Sequence, residues 1–258
     1  MIKTIEDQLH EPVHFSFPPK RIISLVPSQT ELLADLGLDQ EVVGITKFCV
    51  HPEKWKTQKE IIGGTKNFWF DTVDKLQPDL IIGNKEENYK EGIQQLRKKN
   101  PVWMSDIVTY EDSLSMIRSV GVITDKLKEA EIIIEKIQNS FSELKNVSHQ
   151  TALYLIWMKP WMAAGNHTFI HTLLEKMGLE NILKDERYPI LKDDEIKKLS
   201  PDIIFLSSEP YPFNQKHIEE IKRLSPSAKI VLVDGEMFSW YGSRLIHAPA
   251  YFNSLKLQ

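Results

Sequence analysis

The sequence predicts an α/β protein made of two similar lobes joined by one long rigid helix. Short β-branched runs alternate with helical patterns in both halves of the chain, which indicates parallel α/β packing. The halves match best at residues 75–82 and 198–205, which share Lys-Leu-x-Pro-Asp followed by an apolar run. In both, a proline ends a helix and an aspartate leads into a buried strand. Between them, residues 111–145 carry a helical stripe through Leu114, Ile117, Leu127, Ala130, Ile133, Ile134, Ile137, Phe141 and Leu144.

Residues 22–26 read as a buried strand closed by Pro27 and Ser28. Thr30 can cap the helix that follows, and Gly37 ends it. Residues 42–46 make the second strand, 71–76 a short helix stopped by Pro78, and 79–83 the third strand. A helix over 89–99 and a strand over 101–104 complete the first half. In the second half, 152–156 is a strand, 171–179 echoes the helix after Thr30, and 230–233 mirrors the strand at Val102. The expected division is an N-terminal lobe at 1–110, a linking helix at 111–146 and a C-terminal lobe at 147–258. A helix of about 20 residues spans roughly 30 Å and can act as a rigid strut. Gly121 and Thr124 are placed to break or bend it. An ordinary helix within one large sheet is the alternative. Glycine is scarce, at 11 residues, so a flexible tether between lobes is not expected.

Composition excludes several functions. Of the 258 residues 41% are hydrophobic, enough for a real core, and the formal charge of −4 comes without a basic block for nucleic acid. The single cysteine, Cys49, allows no internal disulfide and does not fix the compartment. No apolar run approaches the roughly 20 residues that cross a bilayer. Residues 1–10 lack the apolar core of a secretory signal, so the protein either stays in the cytoplasm or has its export signal outside this chain. No dinucleotide fingerprint, phosphate loop or nucleophile elbow is present, and Gly63-Gly64-Thr65 is too short to cradle a phosphate. His167 and His171 lie four apart, a spacing better suited to solvated or capping roles than to a metal pair. Cys49 has no identifiable base. No enzyme activity and no required cofactor are expected.

In open α/β sheets, ligands sit outside the carboxyl ends of the strands. The corresponding loops hold Ser28 and Gln29; Lys47, Phe48, Cys49 and His51; Asn67, Phe68 and Trp69; Trp157, Lys159 and Trp161; Tyr211 and Phe213; and Phe238, Ser239, Trp240, Tyr241 and Arg244. These loops are rich in aromatic residues. One ring buries about 150–250 Å², on the order of 4–6 kcal/mol gross, so several can hold a large flat ligand such as a corrin or porphyrin. Phe238 and Trp240 have the alternative of packing between the lobes. His51 can supply an axial nitrogen to cobalt or iron, against the alternative of an exposed loop histidine. Lys159 and Arg244 are lone cations suited to carboxylate, amide or phosphate groups.

Asp7-Gln8-Leu9 and residues 17–33, from Phe17-Pro18-Pro19 through Pro27-Ser28-Gln29-Thr30-Glu31, resemble the opening of the cobalamin- and siderophore-binding proteins of ABC importers. Gly63-Gly64-Thr65 and residues 76–82 fit the same pattern, and the resemblance covers nearly the whole chain. Residues 85–88, 155–165 and 207–213 look like the vitamin B12-binding branch. The resemblance implies two Rossmann-like lobes bridged by one long rigid helix, with a ligand cleft between them that closes only slightly. It implies a monomer in the periplasm or at the cell surface that carries a metal chelate, cobalamin or another corrinoid, to a membrane permease. Haem or a ferric siderophore is the alternative ligand, and a cytoplasmic tetrapyrrole chelatase or chaperone the alternative from another class. The family uses one glutamate per lobe to reach arginines on the transporter. Here Glu86, Glu87 and Glu91 occupy that region of the first lobe and Glu209, Glu219 and Glu220 that of the second, with Glu91 and Glu209 ranked first.

Overall fold

The computed structural model describes residues 1–147 and 150–257, which form two compact units. The first comprises Met1–Ile107, Glu111–Asn139 and Tyr241–Ile246; the second comprises Val108–Tyr110, Ser140–Trp240 and the chain from His247 onward. Residues 148, 149 and 258 of the expected C-terminal lobe lie outside the described residues.

The first unit opens on an antiparallel hairpin, β1 (Ile2–Glu6) and β2 (Pro12–Ser16). Val13 and Phe15 turn inward from alternate positions of β2. Beyond it lie β3 (Ile22–Ser24), α1 (Pro27–Asp35), β4 (Val42–Ile45), α2 (Trp55–Gln58) and β5 (Glu60–Ile61). The small hairpin β6 (Gly63–Gly64) and β7 (Asn67–Phe68) leads to α3 (Phe70–Leu76), β8 (Leu80–Asn84), α4 (Lys90–Arg97) and β9 (Val102–Ser105). The main sheet runs β5-β4-β3-β8-β9, all parallel. Every residue of β3, β8 and β9 is buried, which is why these strands read as continuous apolar runs rather than alternating ones.

Two expectations are corrected here. Thr30 does not cap α1. The helix starts at Pro27, whose missing N–H suits the first turn, and the Thr30 hydroxyl bonds back to the Val26 carbonyl at 2.9 Å. The stretch 111–146 is not one helix but two, α5 (Tyr110–Ile123) and α6 (Leu127–Ser142). Asp125, at φ 61°, takes the left-handed conformation that a helix cannot continue through. The second helix turns back on the first. A Cβ at Gly121 would lie 2.5 Å from the Ala130 Cβ, and Arg118 grips Glu131 through two bonds of 2.6 and 3.1 Å. The chain passes from the first unit to the second within α6, between Asn139 and Ser140.

The second unit contains β10 (Gln150–Trp157), β11 (Trp161–Ala163), α7 (Phe169–Lys176), β12 (Leu179–Asn181), β13 (Ile190–Leu191) and α8 (Asp193–Leu199). It continues through β14 (Ile203–Ser207), α9 (Gln215–Leu224), β15 (Lys229–Val233), α10 (Glu236–Ser239) and α11 (Ala248–Ser254). Its sheet runs β13-β11-β10-β14-β15, with β12 also pairing β10. β10, β12, β14 and β15 are parallel, and β11 runs antiparallel to β10 and β13.

The internal repeat has a physical basis. Gln77 and Ser200 each end a helix at a left-handed φ, of 45° and 46°. The aspartates that follow then bind the start of a neighbouring strand. Asp79 accepts the Lys20 and Arg21 N–H groups at 2.7 and 2.8 Å, and Asp202 accepts the Thr151 N–H and hydroxyl at 2.7 and 2.8 Å.

Candidate ligand-binding site

The loops at the carboxyl ends of the parallel strands expose three large aromatic rings. Phe48 and Trp69 in the first unit are each 51% exposed, and Trp157 in the second is 40% exposed. In α/β sheets this is the end at which ligands sit, and rings of this size left exposed there are not part of the core.

In the first unit, Phe48 and Trp69 border a cavity of about 360 Å³, with Gly63, Gly64, Lys47 and Lys66 in its wall. The hairpin of β6 and β7 shapes it. Gly63 has φ 108°, and a Cβ there would come within 2.2 Å of the Asn67 carbonyl oxygen. Gly64 lets the Phe48 ring lie close, since a Cβ would sit 3.1 Å from it. Backbone bonds pin both rims: the Lys47 N–H donates to the Gly63 carbonyl at 2.9 Å and the Trp69 N–H to that of Ile62 at 2.8 Å. The Lys47 ammonium lies 5.1 Å from the Phe48 ring centre, and that of Lys66 bonds the Glu86 carbonyl at 2.7 Å. The surface thus offers apolar faces beside two cations.

Among the other first-unit candidates, Ser28, Gln29, Phe68, Tyr241 and Arg244 are buried or paired within the fold. Gln29 is fully buried and donates to the Ser105 hydroxyl at 2.6 Å. Ser28 is buried in the first turn of α1. Phe68 turns inward against Phe70 and Tyr89, with ring centres 6.3 and 4.9 Å away. The buried Tyr241 hydroxyl donates to Glu87 at 3.4 Å, and burial pushes its phenol well above the usual range. Arg244 is not a lone cation. Its guanidinium meets both Glu31 oxygens, at 2.9 and 2.6 Å. His51 is half-buried in the loop after Cys49.

In the second unit, Trp157 ends β10 and meets Tyr211 edge-on, with ring centres 5.5 Å apart. Lys159 is exposed beside it. Three expected platform rings lie inside instead. Trp161 belongs to the apolar core and donates its indole N–H to Asp193 at 2.8 Å. Phe238 is fully buried among Tyr154, Phe205 and Phe252, at 5.0, 5.6 and 4.6 Å. Trp240 is buried and donates its indole N–H to Glu209 at 3.1 Å. Glu209 also accepts the Ser239 hydroxyl at 2.8 Å, so its carboxylate is engaged within the fold. Burial, and then the nearby Glu236 and Asp234, push its carboxyl above the usual range. Glu91 and Glu219 are exposed, whereas Glu87 is half-buried. Sequence reasoning missed Met158 and His217, which contact Tyr211. The only available signal for His217 was its place three residues after Asn214, the spacing of a capping box.

Among the described residues no cluster of three or more His, Cys, Asp or Glu side chains can hold a metal ion, and no helix is long and apolar enough to cross a membrane. The family described as periplasmic binding protein matches residues 22–227. An uncharacterized ABC transporter substrate-binding lipoprotein of Bacillus subtilis (strain 168), YvrC, is 25% identical over 214 residues, 78% of this chain and 68% of that one. A vitamin B12-binding protein of Pectobacterium carotovorum subsp. carotovorum (strain PC1) is 21% identical over 239 residues, 89% of this chain and 86% of its own. The petrobactin-binding protein YclQ of Bacillus subtilis shares the fold with a TM-score of 0.83 at 20% identity, over 99% of both chains.

Proposed function

The chain belongs to the periplasmic binding protein family, and from that premise we propose that it captures cobalamin or another corrinoid and hands it to an ABC-type membrane importer. The family consists of solute-binding transport proteins, not enzymes. The observation that carries the ligand reading is the exposure of Phe48, Trp69 and Trp157 at the carboxyl ends of parallel strands. A corrin macrocycle offers the flat apolar face that such rings cover. The relative named for vitamin B12 supports the same ligand class. His51 remains the candidate for an axial nitrogen. Work in the periplasm or at the cell surface accords with the family and with the lipoprotein relative.

Lys47 and Lys66 at the first-unit cavity favour a second reading, an anionic ferric siderophore, which accords with the petrobactin-binding fold neighbour. The test is an absorbance spectrum of the protein after equilibration with cyanocobalamin, haem or ferric petrobactin and removal of free ligand. Corrin absorbance retained at one per chain is expected. Retention of the ferric siderophore or haem alone overturns the corrinoid assignment.

For the permease, the exposed Glu91 on α4 and Glu219 on α9 replace the pair ranked first from sequence, because Glu209 is engaged internally. Charge pairs desolvated across an interface couple by about 1.5–7 kcal/mol. Glu91→Lys with Glu219→Lys should therefore abolish uptake while ligand affinity stays intact; uptake surviving the double reversal would rule out this docking pair.

A further inference from the structure

We infer that His217 is a positioning residue which, through Tyr211, fixes the exposed Trp157 ring of the second unit. The consequence for affinity rests on the ligand role proposed for Trp157; the positioning itself does not. His217 is 4% exposed, in the first turn of α9. Its Nδ1 accepts the Asn214 N–H at 2.9 Å. A neutral imidazole that accepts at Nδ1 carries its proton on Nε2. Nε2 lies 3.4 Å from the Tyr211 hydroxyl, so the histidine donates and the tyrosine oxygen accepts. The tyrosine proton is then left to point at the Met158 sulfur, 3.6 Å away. The opposite direction would put an N–H on Nδ1 facing the N–H of Asn214. One orientation therefore satisfies the whole relay.

The rings reinforce it. His217 meets Tyr211 and Phe213 at 5.5 and 5.4 Å, both edge-on, and Tyr211 meets Phe213 at 4.8 Å. The free edge of this cluster is where Tyr211 meets Trp157. The pairing of β10 with β11 shifts register between Leu155 and Trp157, an irregularity of the kind that re-aims a side chain. A helix cap explains only half of His217. Capping needs an acceptor at the third helical position, which glutamine or glutamate supplies. The imidazole ring and its Nε2 proton exceed that need, and both face Tyr211.

The test follows the Trp157 indole N–H signal in ¹⁵N-labelled protein without ligand, assigned by its loss in Trp157→Phe. His217→Gln keeps an acceptor for the cap and removes the aromatic donor; Tyr211→Phe keeps the ring and removes the hydroxyl. Each should shift the Trp157 signal, and the double variant should shift it no further than the larger single one, as expected of one relay. An unmoved signal in Tyr211→Phe, or additive shifts, overturns the inference, and Tyr211→Phe decides the matter alone if His217→Gln does not fold. A titration with cyanocobalamin forms the second arm, with both variants expected to bind about 3- to 10-fold more weakly. Unchanged affinity in Trp157→Ala would sink the ligand role of Trp157, and the indole signal would still decide the role of His217.

Discussion

Arg244 illustrates how a residue can be legible in type but not in use. Its position near the carboxyl-end loops suggested a cation awaiting a ligand, yet the fold spends it on Glu31 of α1 in a bidentate pair with side chains only 12% and 18% exposed. Removing one partner leaves a largely buried charge without its mate. Arg244→Met should cost about 3 kcal/mol in a urea titration, and adding Glu31→Met should recover much of it. Glu209 makes a pH prediction. Burial holds its proton to higher pH in the folded chain than in the unfolded one. The folded state therefore binds more protons across the window from the ordinary glutamate range up to the raised value, and stability falls as pH rises through it. Relative to the parent, Glu209→Gln should gain stability as pH rises from the ordinary glutamate range through the raised value, and parallel curves would contradict this assignment. Which aromatic residues face solvent was only partly readable. Trp69 and Trp157 lie outside and Trp161, Phe238 and Trp240 inside, although the sequence alone puts all five in carboxyl-end loops. The difference lies in partners distant in sequence: Asp193 for Trp161 and Glu209 for Trp240.

Among the elements, the parallel strands were readable because both faces are buried and their sequences are continuously apolar. The β1–β2 hairpin was missed because its burial alternates over five residues with polar and exposed positions between. Its anchor, Asp7, is set by Arg97 at 2.8 Å, a contact across the chain that no local pattern signals. The break between α5 and α6 was half visible in Gly121 and Thr124, but the turning residue is Asp125. Asp125→Gly should stabilise by about 0.5–1 kcal/mol, because glycine takes a left-handed φ without strain, whereas Asp125→Val should cost about 1–2 kcal/mol. In a continuous helix glycine would instead destabilise, so the sign in chemical denaturation discriminates. Asp202 binds the start of β10, and the Thr151 backbone and hydroxyl hold its carboxyl below the usual aspartate range. Its contribution is present at neutral pH and is lost as pH falls through that depressed value. Asp202→Ala should cost about 1–2 kcal/mol at neutral pH and progressively less in acid, measured by the same titration.

At the scale of the whole molecule, the repeat of Lys-Leu-x-Pro-Asp made the duplicated architecture legible, since each copy performs the same act of ending a helix and fixing a strand. What the repeat does not encode is the ligand, because the loops that carry the proposed site differ between the copies: glycines and lysines around Phe48 and Trp69 in one, the ring cluster behind Trp157 in the other. If both units contribute to capture, losses on either should be felt by the same molecule. The direct measurement is calorimetric titration of cyanocobalamin into the parent chain, Trp69→Ala, Trp157→Ala and the double variant. One site per chain, a loss of about 1–3 kcal/mol for each single variant and a larger loss for the double are the predicted results. Absence of saturable corrinoid binding by the folded parent, or binding indifferent to both substitutions, would contradict the account.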